Sequence, residues 1–118
     1  MYPQYIINKI NNHESFLLAS DGQYLGKLSL NRYDAESISN VYGIYGNRYS
    51  ATSIFNPYSI YGSQYSSLSP NNPYTSTPPI IFFRGRRLGF LTKNRFLGTN
   101  NIDSGNLFNW IVSKSLNF

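Results

Sequence analysis

Asn47-Arg48-Tyr49-Ser50-Ala51-Thr52-Ser53-Ile54-Phe55-Asn56-Pro57-Tyr58 returns sixteen residues later as Ser63-Gln64-Tyr65-Ser66-Ser67-Leu68-Ser69-Pro70-Asn71-Asn72-Pro73-Tyr74. The same offset upstream gives Asn31-Arg32-Tyr33-Asp34-Ala35-Glu36-Ser37-Ile38-Ser39-Asn40. An internal repeat sets architecture before any local motif does. A sixteen-residue unit is shorter than a helical repeat, which needs roughly 33 residues. It fits one β-hairpin, with two strands of about 5 to 6 residues and two connections. Gly46-Asn47 and Gly62-Ser63 suit the positive-φ positions of tight turns. Asn56-Pro57 and Asn72-Pro73 punctuate the other end, because proline fixes φ and biases its predecessor toward extended backbone.

Read with period two, one face carries Tyr33, Ala35 and Ser37, then Tyr49, Ala51 and Ser53, then Tyr65, Ser67 and Ser69. The other carries Asp34, Glu36 and Ile38, then Ser50, Thr52 and Ile54, then Ser66, Leu68 and Pro70. Side chains alternate across a strand, so the first face is held constant and the second varies. The constant face is expected where units meet around an axis, and the varying face is expected to be the freer one. Outside the array, Asp21-Gly22-Gln23-Tyr24-Leu25-Gly26-Lys27-Leu28-Ser29 resembles Arg84-Gly85-Arg86-Arg87-Leu88-Gly89-Phe90-Leu91-Thr92. Both read as strand, glycine turn, strand, and together they would supply a fourth unit made from both ends of the array. Ile80-Ile81-Phe82-Phe83, between Pro78-Pro79 and a glycine turn, reads as a buried strand. Ile6, Ile7 and Ile10, and Leu107-Phe108 with Trp110-Ile111-Val112, are apolar and lack the repeat, so they are expected to pack on the array as short strands or helices.

The chain has 118 residues, consistent with one domain over 1–118, with repeats at 16–94 and flanking segments at 1–15 and 95–118. Aromatic residues make up 17% and charged residues 13%, so many of the eleven tyrosines must be half-buried rather than core. There is no cysteine, which excludes a disulfide framework, a thiol nucleophile and a thiolate metal site. No apolar run approaches the roughly 20 residues of a membrane helix, and the N-terminus lacks a signal-peptide pattern, so a cytoplasmic protein is expected. The net charge is +5, and no carboxylate lies between Glu36 and Asp103. Arg84, Arg86, Arg87, Lys93 and Arg95 fall in that span and form a candidate anion-binding surface for nucleic acid or anionic lipid.

Catalytic material is sparse. Asp34 and Glu36 share a strand face in the period-two reading, the geometry of paired carboxylates, but no other unit has them. His13 is the only histidine and has no nucleophile elbow near it. One histidine, no cysteine and scattered acids leave no transition-metal site or cofactor to expect. The glycine pairs 22/26 and 85/89 do not open a helix with a lysine and a hydroxyl, so they are not phosphate cradles. Aromatic rings with amides are better supplied. Tyr42, Tyr45, Tyr58, Tyr61 and Tyr74, with Asn56 and Asn72, sit at matching positions and would line an opening enclosed by the units.

Leu25-Gly26-Lys27-Leu28, the serial Asn-Arg-Tyr-Ser-Ala-Thr-Ser-Ile-Phe-Asn units, the Asn-Pro-Tyr corner, Pro78-Pro79-Ile80-Ile81 and Leu88-Gly89-Phe90-Leu91-Thr92 together resemble the four-fold β-flower domain, over about residues 16 to 94. That bacterial family sets β-hairpin petals in pseudo-four-fold symmetry around a shallow barrel. Leu68 and Pro70 depart from the pattern in the third unit. The resemblance implies an all-β fold with short terminal elements packed on it, no catalytic motif, and a binding module. The expected function is non-catalytic capture of a small polar ligand, a sugar or an amino sugar of aminoglycoside type, in a tyrosine-lined opening. Polyanion or membrane binding through the basic residues, and self-assembly through exposed strand edges, are the alternatives.

Overall fold

The computed structural model describes residues 2–98 and 100–116; residues 1, 99, 117 and 118, parts of the expected flanking segments, lie outside the described residues. Strands β1 (Phe16–Leu18), β2 (Tyr24–Lys27), β3 (Ile80–Phe83) and β4 (Arg86–Phe90) form one antiparallel sheet in the order β2-β1-β3-β4. Helix α1 (Gln4–Asn11) precedes the sheet, and a 3-10 turn (Ser104–Asn106) leads into α2 (Leu107–Ser113). No helix among the described residues is long and apolar enough to cross a membrane.

The two glycine-turn segments outside the array are the two hairpins of this sheet. The first turns at Gly22 (φ 93°), where Asp21 Oδ1 accepts the Gln23 N–H at 3.1 Å. The second turns at Arg84 and Gly85, both with positive φ. They join through β1 and β3, with Phe16, Leu17 and Leu18 opposite Phe82, Ile81 and Ile80. The sheet is thus built from both ends of the array.

Alternation along the strands divides the core in two. Phe16, Leu18, Tyr24 and Phe82 face α1 and meet Ile6, which is fully buried. Leu17, Leu25 and Ile81 face the other way, onto Leu28, Ile38, Ile54, Leu91 and the α2 residues Leu107 and Ile111. Ile6 and Ile10 lie four residues apart on the apolar stripe of α1, and Tyr2, ahead of the helix, packs on the same cluster.

The sixteen-residue units themselves are not hairpins. Between β2 and β3 the chain runs as consecutive β-turns with no strand. In the second unit the N–H groups of Ser50, Ser53, Asn56, Ser59 and Gly62 each donate to the carbonyl three residues back, at 3.0–3.2 Å. The side chain at each turn's first position accepts a second bond, from the N–H two residues on. Asn47 holds Tyr49 (2.8 Å), Ser50 holds Thr52 (3.3 Å), Ser53 holds Phe55 (3.1 Å), Asn56 holds Tyr58 (3.0 Å) and Ser59 holds Tyr61 (3.0 Å). Short polar side chains that satisfy local backbone offer it an alternative to a strand ladder. The operative period is therefore three: five capped triplets plus Gly62 make the sixteen. The first and third units repeat the device at Asn31, Asp34, Ser37 and Asn40, and at Ser63, Ser66, Ser69, Asn72 and Thr75.

This period reverses the expected faces. Tyr33, Tyr49 and Tyr65 are 79–90% exposed, so they do not fill an axis between units. Ile38, Ile54 and Pro70, from the face expected to be free, are buried, beside Ser37, Ser53 and Ser69. Gly46 and Gly62 do not need positive φ. They are glycine because a Cβ there would lie 2.1 Å from the carbonyl oxygen of Asn40 or Asn56.

Candidate functional site

The richest chemistry lies in a cleft of about 630 Å³ between α1, β2 and the first unit. Tyr5 and Lys9 come from α1, Gln23 and Tyr24 from the first hairpin, and Glu36, Tyr42 and Tyr45 from the turn train. Docking of α1 through Ile6 brings Lys9 onto the first unit. Its ammonium donates to Glu36 Oε1 at 2.9 Å, approaches Glu14 at 3.5 Å, and lies 4.5 Å from the centre of the Tyr24 ring. The Tyr24 hydroxyl donates to the same Glu36 Oε1 at 3.0 Å. Tyr45 packs edge-on against Tyr24, with ring centres 5.1 Å apart. Glu36 Oε2 accepts no bond among the described residues.

The electrostatics follow from these contacts. The Lys9 hydrogen bond holds the Glu36 carboxyl below its ordinary value, against the cost of burial. Burial opposes the charge on Lys9, but Glu36 and Glu14 together raise its pKa. Burial first, then the negative charge of Glu36, push the Tyr24 hydroxyl far up, and Tyr45 rises for the same two reasons in the same order. At neutral pH the cleft therefore holds the Glu36 carboxylate, the Lys9 ammonium and the protonated phenols of Tyr24 and Tyr45.

The seven residues expected to line a common opening do not do so. Tyr42 and Tyr45 enter this cleft. Tyr58 and Tyr74, the counterparts of Tyr42, stand exposed on the second and third units. Tyr61 is buried; its hydroxyl donates to Asp21 Oδ2 at 2.8 Å, and burial and then that bond push its pKa up to about 12. Asn56 and Asn72 are committed internally: their amide nitrogens donate to the Ser50 and Ser66 carbonyls while their oxygens hold Tyr58 and Tyr74.

The basic residues are dispersed as well. Arg84 stacks on Phe83, with its guanidinium carbon 4.8 Å from the ring centre, and Arg87 lies 5.4 Å from that of Phe90. Arg86 and Arg87 sit on edge strand β4, where charge discourages pairing with another sheet. Lys93 pairs with Asp103 at 3.4 Å, and Arg95 is exposed beside Phe96. Asp34 and Glu36 each have a cation of their own, Lys27 at 2.9 Å and Lys9 at 2.9 Å. His13, at φ 58° just beyond α1, lines a second recess of about 610 Å³ with Glu14, Lys27 and Arg84. Tyr5, Lys9 and Tyr24 were not legible as site residues, since the packing of α1 brings Tyr5 and Lys9 to Glu36 and the bridge between Lys27 and Ser37 brings Tyr24.

Comparison with protein-family models, with curated proteins and with solved structures gives no match for this chain.

Hydrogen bonds set an acid limit: the Lys9 ammonium bonds Glu36, the Glu36 backbone N–H bonds Asp34 and the Gly105 N–H bonds Asp103, with Lys27 and Lys93 adding to the last two. Glu36, Asp34 and Asp103 are all lowered, so their contributions to stability are complete above the ordinary values of 4.5 and 3.8 and are lost as pH falls through the folded values. Tyr61 is raised, so its contribution is complete below the ordinary value of 10.0 and is lost as pH rises toward about 12. The melting temperature is expected to be flat at neutral pH and to fall on both sides. E36Q should lower it at neutral pH and converge with wild type in acid; parallel curves down to acid would contradict the role given to Glu36.

Proposed function

We propose that this chain is a non-catalytic binding module for a small hydroxylated ring, a sugar or an amino sugar, taken up in the Tyr5–Tyr24–Tyr42–Tyr45 cleft. The observation that carries this is the exposed ring of Tyr42 in the same cleft as the Glu36 carboxylate, whose Oε2 is unengaged. A sugar presents an apolar face to an aromatic ring and hydroxyls to a carboxylate and an amide; Gln23 supplies the amide oxygen, while its nitrogen donates to the Tyr24 carbonyl at 2.9 Å. A non-catalytic role is supported by Glu36 itself. Its lowered pKa and its bonds from Lys9 and Tyr24 make it a poor acid or base at neutral pH.

The four-fold β-flower reading of the architecture belongs to the same proposal. Three turn trains and the joined pair of flanking hairpins would be its four petals, with turn trains in place of hairpins. The resemblance in order and spacing over about residues 16 to 94 supports it.

Calorimetry with monosaccharides and amino sugars tests the binding. Tyr42→Ala should weaken binding about tenfold by removing the stacking surface while leaving the melting temperature unchanged, because the ring is 92% exposed. A site with Kd of about 1 mM would stabilise the fold by about 2.7 kcal/mol at a hundredfold excess. No heat and no stabilisation under that excess, across the panel, would sink the proposal.

A further inference from the structure

The turn trains turn their asparagines inward and the rings of Tyr33, Tyr42, Tyr49 and Tyr58 outward, while Tyr45, Phe55 and Tyr61 pack inward. Asn40 and Asn56 each hold a backbone carbonyl with the amide nitrogen and a tyrosine N–H with the oxygen. The rings that follow are left in solvent: Tyr33, Tyr42, Tyr49 and Tyr58 are 79–92% exposed. Each has its backbone N–H tied to the asparagine two residues before it, so its Cα is fixed although its ring is free. In the first unit Tyr33 and Tyr42 line one groove of about 810 Å³ together with Arg32. Sixteen residues on, Arg48, Tyr49 and Tyr58 occupy the equivalent positions, with the same turn bonds. Both arginines are exposed, and the guanidinium carbon of Arg48 lies 5.7 Å from the centre of the Tyr49 ring.

We infer that the first unit's groove and the equivalent Arg48, Tyr49 and Tyr58 of the second unit form a second binding surface, whose partner is single-stranded nucleic acid. The exposed chemistry of these positions is phenol rings and guanidinium cations, without a free carboxylate or side-chain amide. A polysaccharide would need amides and carboxylates for its hydroxyls, but the asparagines are spent on turns, Asp34 and Glu36 of the first unit are paired with Lys27 and Lys9 and do not line the groove, and no carboxylate occurs in residues 37–102. Unpaired bases supply faces to stack on tyrosine, and the phosphates between them supply the counter-charge for arginine. A duplex hides its base faces and fits poorly. This surface lies apart from the Glu36 cleft except for Tyr42, which borders both, so the tests use the second unit and Arg32.

Fluorescence anisotropy of a labelled oligothymidylate of about 16 nucleotides, against the intact chain over a salt series, reads this out. Binding is expected at low salt, stronger than to a duplex of equal length, and falling steeply as salt rises. Tyr49→Ala and Tyr58→Ala should each weaken it about tenfold, and Tyr49→Phe, which keeps the ring, should restore it. R32Q combined with R48Q should flatten the logarithmic salt slope by about 1.4, or about 0.7 for each phosphate left without its arginine. Unchanged melting temperatures would show that the exposed-site variants remain folded. Absent binding at low salt, equal affinity for duplex, indifference to the tyrosine variants, retention of neutral glycan alone, or self-association of the chain in place of oligonucleotide binding would each overturn the inference.

Discussion

Phe16→Ala is expected to destabilise the domain by about 3 to 5 kcal/mol, the largest effect of any single side chain here. Phe16 is fully buried and is stacked on Phe82, with ring centres 4.8 Å apart and planes 7° from parallel. It is also the residue of β1 paired directly with Phe82 of β3, at the seam where the two hairpins meet. Tyr24 closes a third side at 5.8 Å. Truncation removes the transfer free energy of the ring and leaves a cavity bounded by rigid strands, which collapse poorly. Phe96→Ala provides the contrast. Its ring is 96% exposed, so the change should stay within about 0.5 kcal/mol. Urea unfolding of both variants measures the difference; comparable losses would contradict the placement of the seam.

Gly62→Ala should cost about 3 kcal/mol for a different reason. The added methyl would meet the Asn56 carbonyl oxygen at 2.1 Å, its carbon at 2.8 Å and the Ile54 oxygen at 2.9 Å. All three atoms are backbone, and the Asn56 carbonyl already accepts the Ser59 N–H within the train. Relief therefore requires the turn to open rather than a side chain to swing away. Gly46 faces the equivalent carbonyls of Asn40 and Ile38 at 2.1 and 2.8 Å, so Gly46→Ala should behave alike. Gly22→Ala has open space and only its φ of 93° against it, a cost of roughly 1 to 2 kcal/mol. If Gly62→Ala proved milder than Gly22→Ala in urea, the close approach within the units would be wrong.

The parts of this fold legible in the sequence are those with strong local signals. Ile80–Phe83, an apolar run between a proline pair and a glycine turn, is strand β3. The likeness of the segments around Gly22 and Gly85 anticipated two hairpins, and their joining into one sheet. The apolar ends form α1 and α2. The units were harder because two periods overlap in them. Tyr49, Ala51 and Ser53 invite a count by two, whereas Asn47, Ser50, Ser53, Asn56 and Ser59 count by three, and the backbone follows the acceptor side chains. Asparagine misled for the same reason: Asn56 and Asn72 read as ligand contacts but are consumed by their own turns. Within the cleft, Tyr42 and Tyr45 were foreseeable as aromatic positions. Lys9 and Tyr24 were not, because they meet Glu36 only across separations of 27 and 12 residues in sequence.

Side-chain-capped turns at every third residue are the central claim, since they bury the capping polar groups and leave the rings of Tyr33, Tyr42, Tyr49 and Tyr58 outside. The NOE pattern of residues 47–78 in an amide-resolved NMR spectrum tests this most directly. Capped turns predict strong NOEs between successive amide protons within each triplet, slow exchange of the Tyr49 and Tyr58 amides despite their exposed rings, and no cross-strand Hα–Hα NOEs. Cross-strand Hα–Hα NOEs within a unit, with fast-exchanging tyrosine amides, would establish hairpins and contradict it.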